Sequence, residues 1–168
     1  MAVTALLGEL KLRIKNSDQR NYTIEMWRYD RELKEISSDP VLGHVHVSGS
    51  SAQLQGVNLR INILGRRGLE PNLDNASGVK VLMRGSSITL GWGIPEHATS
   101  RAQLERILAP QIQVLNGGVG NYNTVRSIAL FRSHWRQTVR PDIVIVHYFL
   151  NDAEILPPSK DSMIMRNS

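Results

Sequence analysis

The 168-residue sequence contains no cysteine. That excludes a disulfide framework, a thiol nucleophile and any thiolate metal site. It also lacks a long apolar run, and nothing in it approaches the roughly 18 residues that a membrane-spanning helix needs. Aromatic residues make up only 5% of the chain. Two of the tryptophans sit among basic residues, in EMWRYDR and SHWRQ, but no aromatic series alternates with charge. The net charge is +5, yet no basic run of five or more occurs, and Lys and Arg often stand beside acids, as in RYDRELKE. A nucleic-acid binder would need its cations clustered on one face, so no nucleic-acid partner is expected. The opening MAVTALLGELKLRIK puts apolar residues before charges, the reverse of a secretory leader. With neither leader nor span, a cytoplasmic location is the expectation.

What is present is enough apolar sequence, 41%, to build a core. Residues 1–78 read as an N-terminal extension: a helix over Tyr22–Ile36 carrying Ile24, Trp27 and Leu33 at helical spacing, broken at Asp39-Pro40, then β segments. HVHVSG alternates, and so does VNLRINIL, with Val57, Leu59, Ile61 and Ile63 on one face. The polar stretch 69–78 marks a boundary. From residue 79 to 168 the pattern becomes strand–helix–strand–helix–strand. An apolar run at Lys80–Met83 leads to Gly85-Ser86-Ser87, and a helix follows near Thr99–Leu108. A strand at Ile112–Leu115 ends in Asn116-Gly117-Gly118. A helix over Thr124–Val139 has Val125, Ile128, Ala129 and Trp135 as inward positions. A last strand, Ile143–Leu150, is apolar on both faces, as a strand in the middle of a covered parallel sheet must be. The fold class expected is α/β, a doubly wound parallel sheet.

In such sheets chemistry sits beyond the carboxyl ends of the strands. Those ends carry small or hydrogen-bonding residues at Gly85–Ser87, Asn116–Asn123 and Asn151-Asp152. Each has a bland alternative. Ser87 is a suitable helix cap, Gly117, Gly118 and Gly120 make a weak phosphate nest without a lysine, and Asn151-Asp152 reads equally as a turn. His44-x-His46 shares one strand face but lacks a third ligand, so packing is the plainer role and no metal is expected. His147 reads as a core histidine.

Taken together, RGSSITLGWGIPE, NGGVGNYNT and HYFLNDAE resemble, in order, the first three blocks of the SGNH (GDSL-type) serine ester hydrolases, and the resemblance covers roughly residues 39–154. It implies a flavodoxin-like SGNH hydrolase fold and hydrolysis of a small acyl ester without cofactor. It further implies Ser87 as nucleophile, the backbone N–H groups of Ser87 and Asn121 as oxyanion donors, and Asn151 as the third donor through its side chain. Trp92 and His97 are candidate lining residues of the cleft, His97 also a candidate substitute base. Four departures stand out. Ser86 replaces the aspartate of the first block, Asn121 a glycine of the second, and Phe149 a glycine frequent in the third. The DxxH block, which supplies the family's base, occurs nowhere in the sequence. The expectation is a fold incomplete at its C-terminus, weak or inactive as this chain, with an exposed sheet edge that favours self-association. The rival expectation is a non-catalytic remnant or binding module of the same fold.

Overall fold

A parallel sheet forms where the sequence is most continuously apolar. The computed structural model describes residues 7–11, 22–71, 78–108, 110–135 and 139–153, and the side chains of His134, Trp135 and Asn151 are outside that description. In chain order the elements are α1 (Tyr22–Leu33), β1 (Lys34–Ile36), β2 (His44–His46), β3 (Ser51–Leu54), β4 (Val57–Arg60), β5 (Val79–Gly85), α2 (Ser87–Leu90), α3 (Ser100–Leu108), β6 (Ile112–Gly118), α4 (Thr124–Leu130) and β7 (Ile143–Val146). Short 3₁₀ turns occupy Glu96–Ala98 and Leu150–Ala153. A π-type turn, Phe131–Trp135, extends α4.

Strands β6, β5 and β7 pair in that order, all parallel. The chain therefore steps from β5 out to β6 and then crosses back to the other side of β5. Alternating side chains send Val81, Met83 and Val114 to one face, against Leu104 of α3. Leu82 and Leu115 go to the other, against Leu130 of α4. The result is a mixed α/β architecture in which a three-stranded parallel sheet is flanked by helices.

The preceding segment forms two antiparallel hairpins, β1–β2 and β3–β4. Its packing is continuous with the sheet. Leu42 joins the cluster of Leu82 and Leu115, while Leu90 of α2 joins Tyr29, Leu33, Leu54, Leu59 and Ile61. Buried Arg67 reaches across as well, donating from Nη1 to Leu90 O at 2.8 Å and to Gly91 O at 2.5 Å, and from Nη2 to Ile94 O at 2.5 Å. The polar stretch around residue 70 divides the sequence but not the core.

Several local expectations are corrected. Helix α1 ends at Leu33, and Lys34–Ile36 pairs as a strand instead. Its inward face is Met26, Tyr29 and Leu33, leaving Ile24 and Trp27 exposed. The alternation of β4 persists through Leu59 and Ile61, but Asn62 turns the chain by accepting from the Leu64 and Arg66 amides, which puts Ile63 outside. In α4 the buried positions are Arg126, Ser127 and Leu130. Arg84 lies beneath this helix and donates to Ser127 O, so polar residues face inward while Val125 and Ile128 face out. Finally, β7 stops at Val146 and is an edge strand. No strand among the described residues pairs with its outer side, and Ile143, Val144 and Val146 are 50%, 40% and 58% exposed.

Candidate functional site

The register of the sheet brings three strand ends side by side. Gly85 is opposite Gly118, and Arg84 is opposite Val146. The pairing continues one step past the strands: Val119 N–H donates to Gly85 O at 3.1 Å and His147 N–H to Arg84 O at 2.8 Å. Ser87, Asn121 and Asn151 thus follow the carboxyl ends of three hydrogen-bonded neighbours. The distance from Ser87 Oγ to the Asn151 amide lies outside the described side chains.

At the first loop the backbone turns at Gly85, whose φ is +154°, and a Cβ there would sit 2.8 Å from the His147 carbonyl oxygen. Only glycine lets β5 swing into α2 this close to β7. Thr89 stitches the turn from within, its hydroxyl lying 3.3 Å from Arg84 O and 3.2 Å from His147 Nδ1. His147 is accordingly half-buried and bonded. Ser87 opens α2 and is partly exposed, and its hydroxyl has no hydrogen-bond partner among the described residues. Ser86 is buried, and its Oγ also lacks a partner among the described residues. A serine can take over part of an aspartate's role in such a turn only by hydrogen bonding, and no such bond forms among these residues.

The second loop holds Gly120-Asn121. Asn121 is exposed with φ +66°, a left-handed conformation that asparagine tolerates better than most residues. Gly120 is gripped on every side. Tyr29 Oη accepts from its N–H at 3.0 Å, while Lys34 Nζ and His44 Nε2 approach its carbonyl at 3.0 and 3.1 Å. A Cβ at Gly120 would meet Tyr29 Cε1 at 2.6 Å. Asn123 then caps α4 by accepting from Arg126 N–H at 3.0 Å.

The grip is itself a buried polar network. Lys34 Nζ pairs with Asp30 Oδ1 at 2.7 Å, and both side chains are almost fully buried. Tyr29 Oη lies 2.6 Å from His46 Nε2, and His46 Nδ1 lies 3.2 Å from Gly65 O. Tyr122 Oη donates to His44 O. Burial lowers the Lys34 ammonium to about 8 against the pull of Asp30. Burial, with Lys34 adding repulsion, lowers both His44 and His46 to about 3. Both imidazoles are therefore neutral at pH 7, with Tyr29 donating to His46 Nε2 and His46 Nδ1–H donating to Gly65. The His-x-His pair is used up in structural hydrogen bonds. Among the described residues no cluster of three or more His, Asp or Glu could hold a metal.

The third loop is closed by Asp152, which is buried. Its Oδ2 accepts from Phe149 N–H at 2.6 Å and its Oδ1 from the Thr124 hydroxyl at 3.3 Å, tying the third motif to the helix that follows the second. The sequence offered Asp152 as part of a polar strand end or a plain turn, with no partner named for it.

Trp92 and His97 take other positions. Trp92 is half-buried with its ring edge-on to Tyr29, centroids 5.2 Å apart, in the cluster of the N-terminal segment. His97 is exposed on its 3₁₀ turn, where its carbonyl accepts from Gln103 Nε2 at 2.7 Å. Neither side chain bonds to Ser87 or Asn121 among the described residues. Beside the rim a cavity of about 240 Å³ is lined by Arg84, Thr124, Ser127, Ile128, Phe131, Val144 and Val146. No described helix is long and apolar enough to cross a membrane. Comparison of the chain with protein-family models and with curated proteins finds no match in either.

Proposed function

We propose that this chain carries the nucleophile and oxyanion-binding part of a serine ester hydrolase of SGNH type. The observation that carries the reading is the sheet register: Gly85-Ser86-Ser87, Gly118–Asn121 and the segment after Val146 leave three adjacent parallel strands at the same end. The order β6-β5-β7 also makes the gap between β5 and β7 the point where the crossover direction reverses, which is where open α/β sheets bind their ligands. Ser87 would attack the acyl carbon. The N–H groups of Ser87 and Asn121, with the Asn151 amide, would receive the oxyanion. The proton of Ser87 needs a base, and neither a DxxH nor a described neighbour of the Ser87 hydroxyl supplies one. The 168-residue chain alone should therefore hydrolyse an activated short-chain ester only feebly, at the level oxyanion donors sustain without a base, roughly 10³–10⁴ over water.

The test is p-nitrophenyl acetate hydrolysis by the chain, by Ser87→Ala, and by each joined to a DxxH-bearing C-terminal segment. Ser87-dependent activity that rises by orders of magnitude on completion supports the reading. A second reading, a non-catalytic binding module, is favoured by the buried Ser86 hydroxyl, which has no partner among the described residues. It prevails if the completed protein stays inert and Ser86→Asp does not rescue it.

A further inference from the structure

A peptide group is planar and trans, so its C=O and N–H point in opposite directions and cannot be turned separately. The carbonyl of Gly120 and the N–H of Asn121 belong to one such group. That carbonyl is fixed from the protein interior by two donors, Lys34 Nζ at 3.0 Å and His44 Nε2 at 3.1 Å. The opposite end, the Asn121 N–H, must then face away from the interior, on an exposed residue where it has no acceptor among the described residues. A cation hydrogen-bonded to the carbonyl also draws charge through the amide, making the N–H a stronger donor. A buried ammonium is costly, even with its partner Asp30 beside it, and a plain loop anchor would not need a charge.

We infer that Lys34 and His44 are positioning residues, which aim and polarise the Asn121 N–H for an anionic oxygen by holding the carbonyl of the same peptide unit. This rests on the hydrolase reading for the identity of that oxygen, an ester's oxyanion. Neither residue lies within the resembling motifs that bear the chemistry; α1, β1 and β2 bring them there through the fold.

The groups facing Lys34 are Asp30 and Tyr29 from α1, His44 and His46 from β2, and Arg126 from α4. Burial pushes the Tyr29 phenol up and both imidazoles down to about 3, and Arg126 is a permanent cation. A transition near pH 8 at the Gly120–Asn121 peptide would thus report Lys34, lowered to about 8.

The test is carbon-detected NMR of the Gly120 carbonyl carbon and the Asn121 amide nitrogen between pH 6 and 9.5, on the wild-type chain. Both resonances are expected to move together with a midpoint near 8. A flat response overturns the inference. The variant arm is Asp30→Asn with Lys34→Met, which removes both buried charges together so that neither is stranded. In it the pH response should vanish, and in the DxxH-joined protein the Ser87-dependent kcat on p-nitrophenyl acetate should fall about tenfold with KM little changed, less than the about 10²–10³ that loss of a whole donor costs. An unchanged kcat overturns the catalytic part of the inference. The two failures are separable: hydrolysis by the DxxH-joined protein that is indifferent to Ser87→Ala refutes the hydrolase reading, whereas Ser87-dependent hydrolysis with a flat titration refutes the positioning role alone.

Discussion

Acidification should unfold this protein through two residues, His44 and His46. Both imidazoles are buried beside the Lys34 ammonium and held neutral, with pKa values lowered from 6.5 to about 3. The unfolded chain therefore binds more protons than the folded chain between about pH 6.5 and 3, and stability falls as pH falls through that window. A pH of about 4.5 is about two units below the ordinary imidazole pKa, and at about 1.36 kcal/mol per unit the two histidines together cost about 5 kcal/mol. Total stabilities are on the order of 5–15 kcal/mol, so this pair alone can consume much of the total. The remedy of breaking the network is closed, because Tyr29 would lose its acceptor and Gly120 one of its donors.

Urea unfolding followed by circular dichroism at pH 7, 5.5 and 4.5 measures the effect, and NMR of the imidazole protons identifies its source. The expected result is a midpoint that falls steadily with pH, together with two histidine signals that stay unprotonated down to pH 5. Replacing both histidines by glutamine should lower stability at pH 7 and flatten the acid slope. If all five histidines titrate near 6.5 in the folded protein, or if the wild-type midpoint is constant from pH 7 to 4.5, the reasoning from burial is refuted.

Gly120→Ala would place a methyl group against the Tyr29 ring, so it should cost about 1–3 kcal/mol as an overpacking change, read as a lower melting temperature; an unaltered melting curve would show that the loop is not held. Asp152→Ala strips the acceptor from the Phe149 amide and the Thr124 hydroxyl, and should cost about 1–3 kcal/mol while speeding hydrogen exchange at Phe149; unchanged protection there contradicts the tie. The exposed apolar edge of β7 should drive concentration-dependent self-association, which light scattering would detect and which Val144→Lys should suppress; a monomer at high concentration argues against it.

The parallel sheet was legible because β5 and β6 are short apolar runs that end in glycine, and strand-to-helix turns need little else. Periodicity failed where polar groups are buried. Helix α4 turns Arg126 and Ser127 inward over the buried Arg84, an arrangement that a hydrophobic pattern cannot register. It failed in α1 for a related reason: Asp30 is inward because Lys34, four residues on, neutralises it. The exposed edge at β7 was expected from the missing partners and not from the strand's own composition, because an apolar strand reads the same at an edge or in the middle of a sheet. The three loops at the strand ends, which do follow neighbouring parallel strands, were placed from their residue types. Their supports were not, since Tyr29, Lys34 and Arg67 come from segments with no motif, and only the fold brings them to Gly120 and Gly91.

Those supports bear on which reading of the rim is better. Two of the three loops are fixed by buried polar groups, the loop after β6 by Tyr29, Lys34 and His44 from the N-terminal segment and the turn after β7 by its own Asp152, while Arg67 fixes the turn at the far end of α2. Burying ionic and polar groups rarely adds stability over apolar packing of the same volume, so stability alone does not call for them. What they supply is placement: backbone N–H groups held at fixed positions at one end of the sheet. A binding module that needs only a shaped surface has little use for that, whereas stabilising an oxyanion depends on donors fixed to within a fraction of an ångström. Ser86 is the exception, a buried hydroxyl with no partner among the described residues. On the hydrolase reading proposed above, the loops after β6 and β7 are held and the turn at Gly85–Ser87 carries the unsatisfied hydroxyl, which makes that turn the place where activity would be gained or lost.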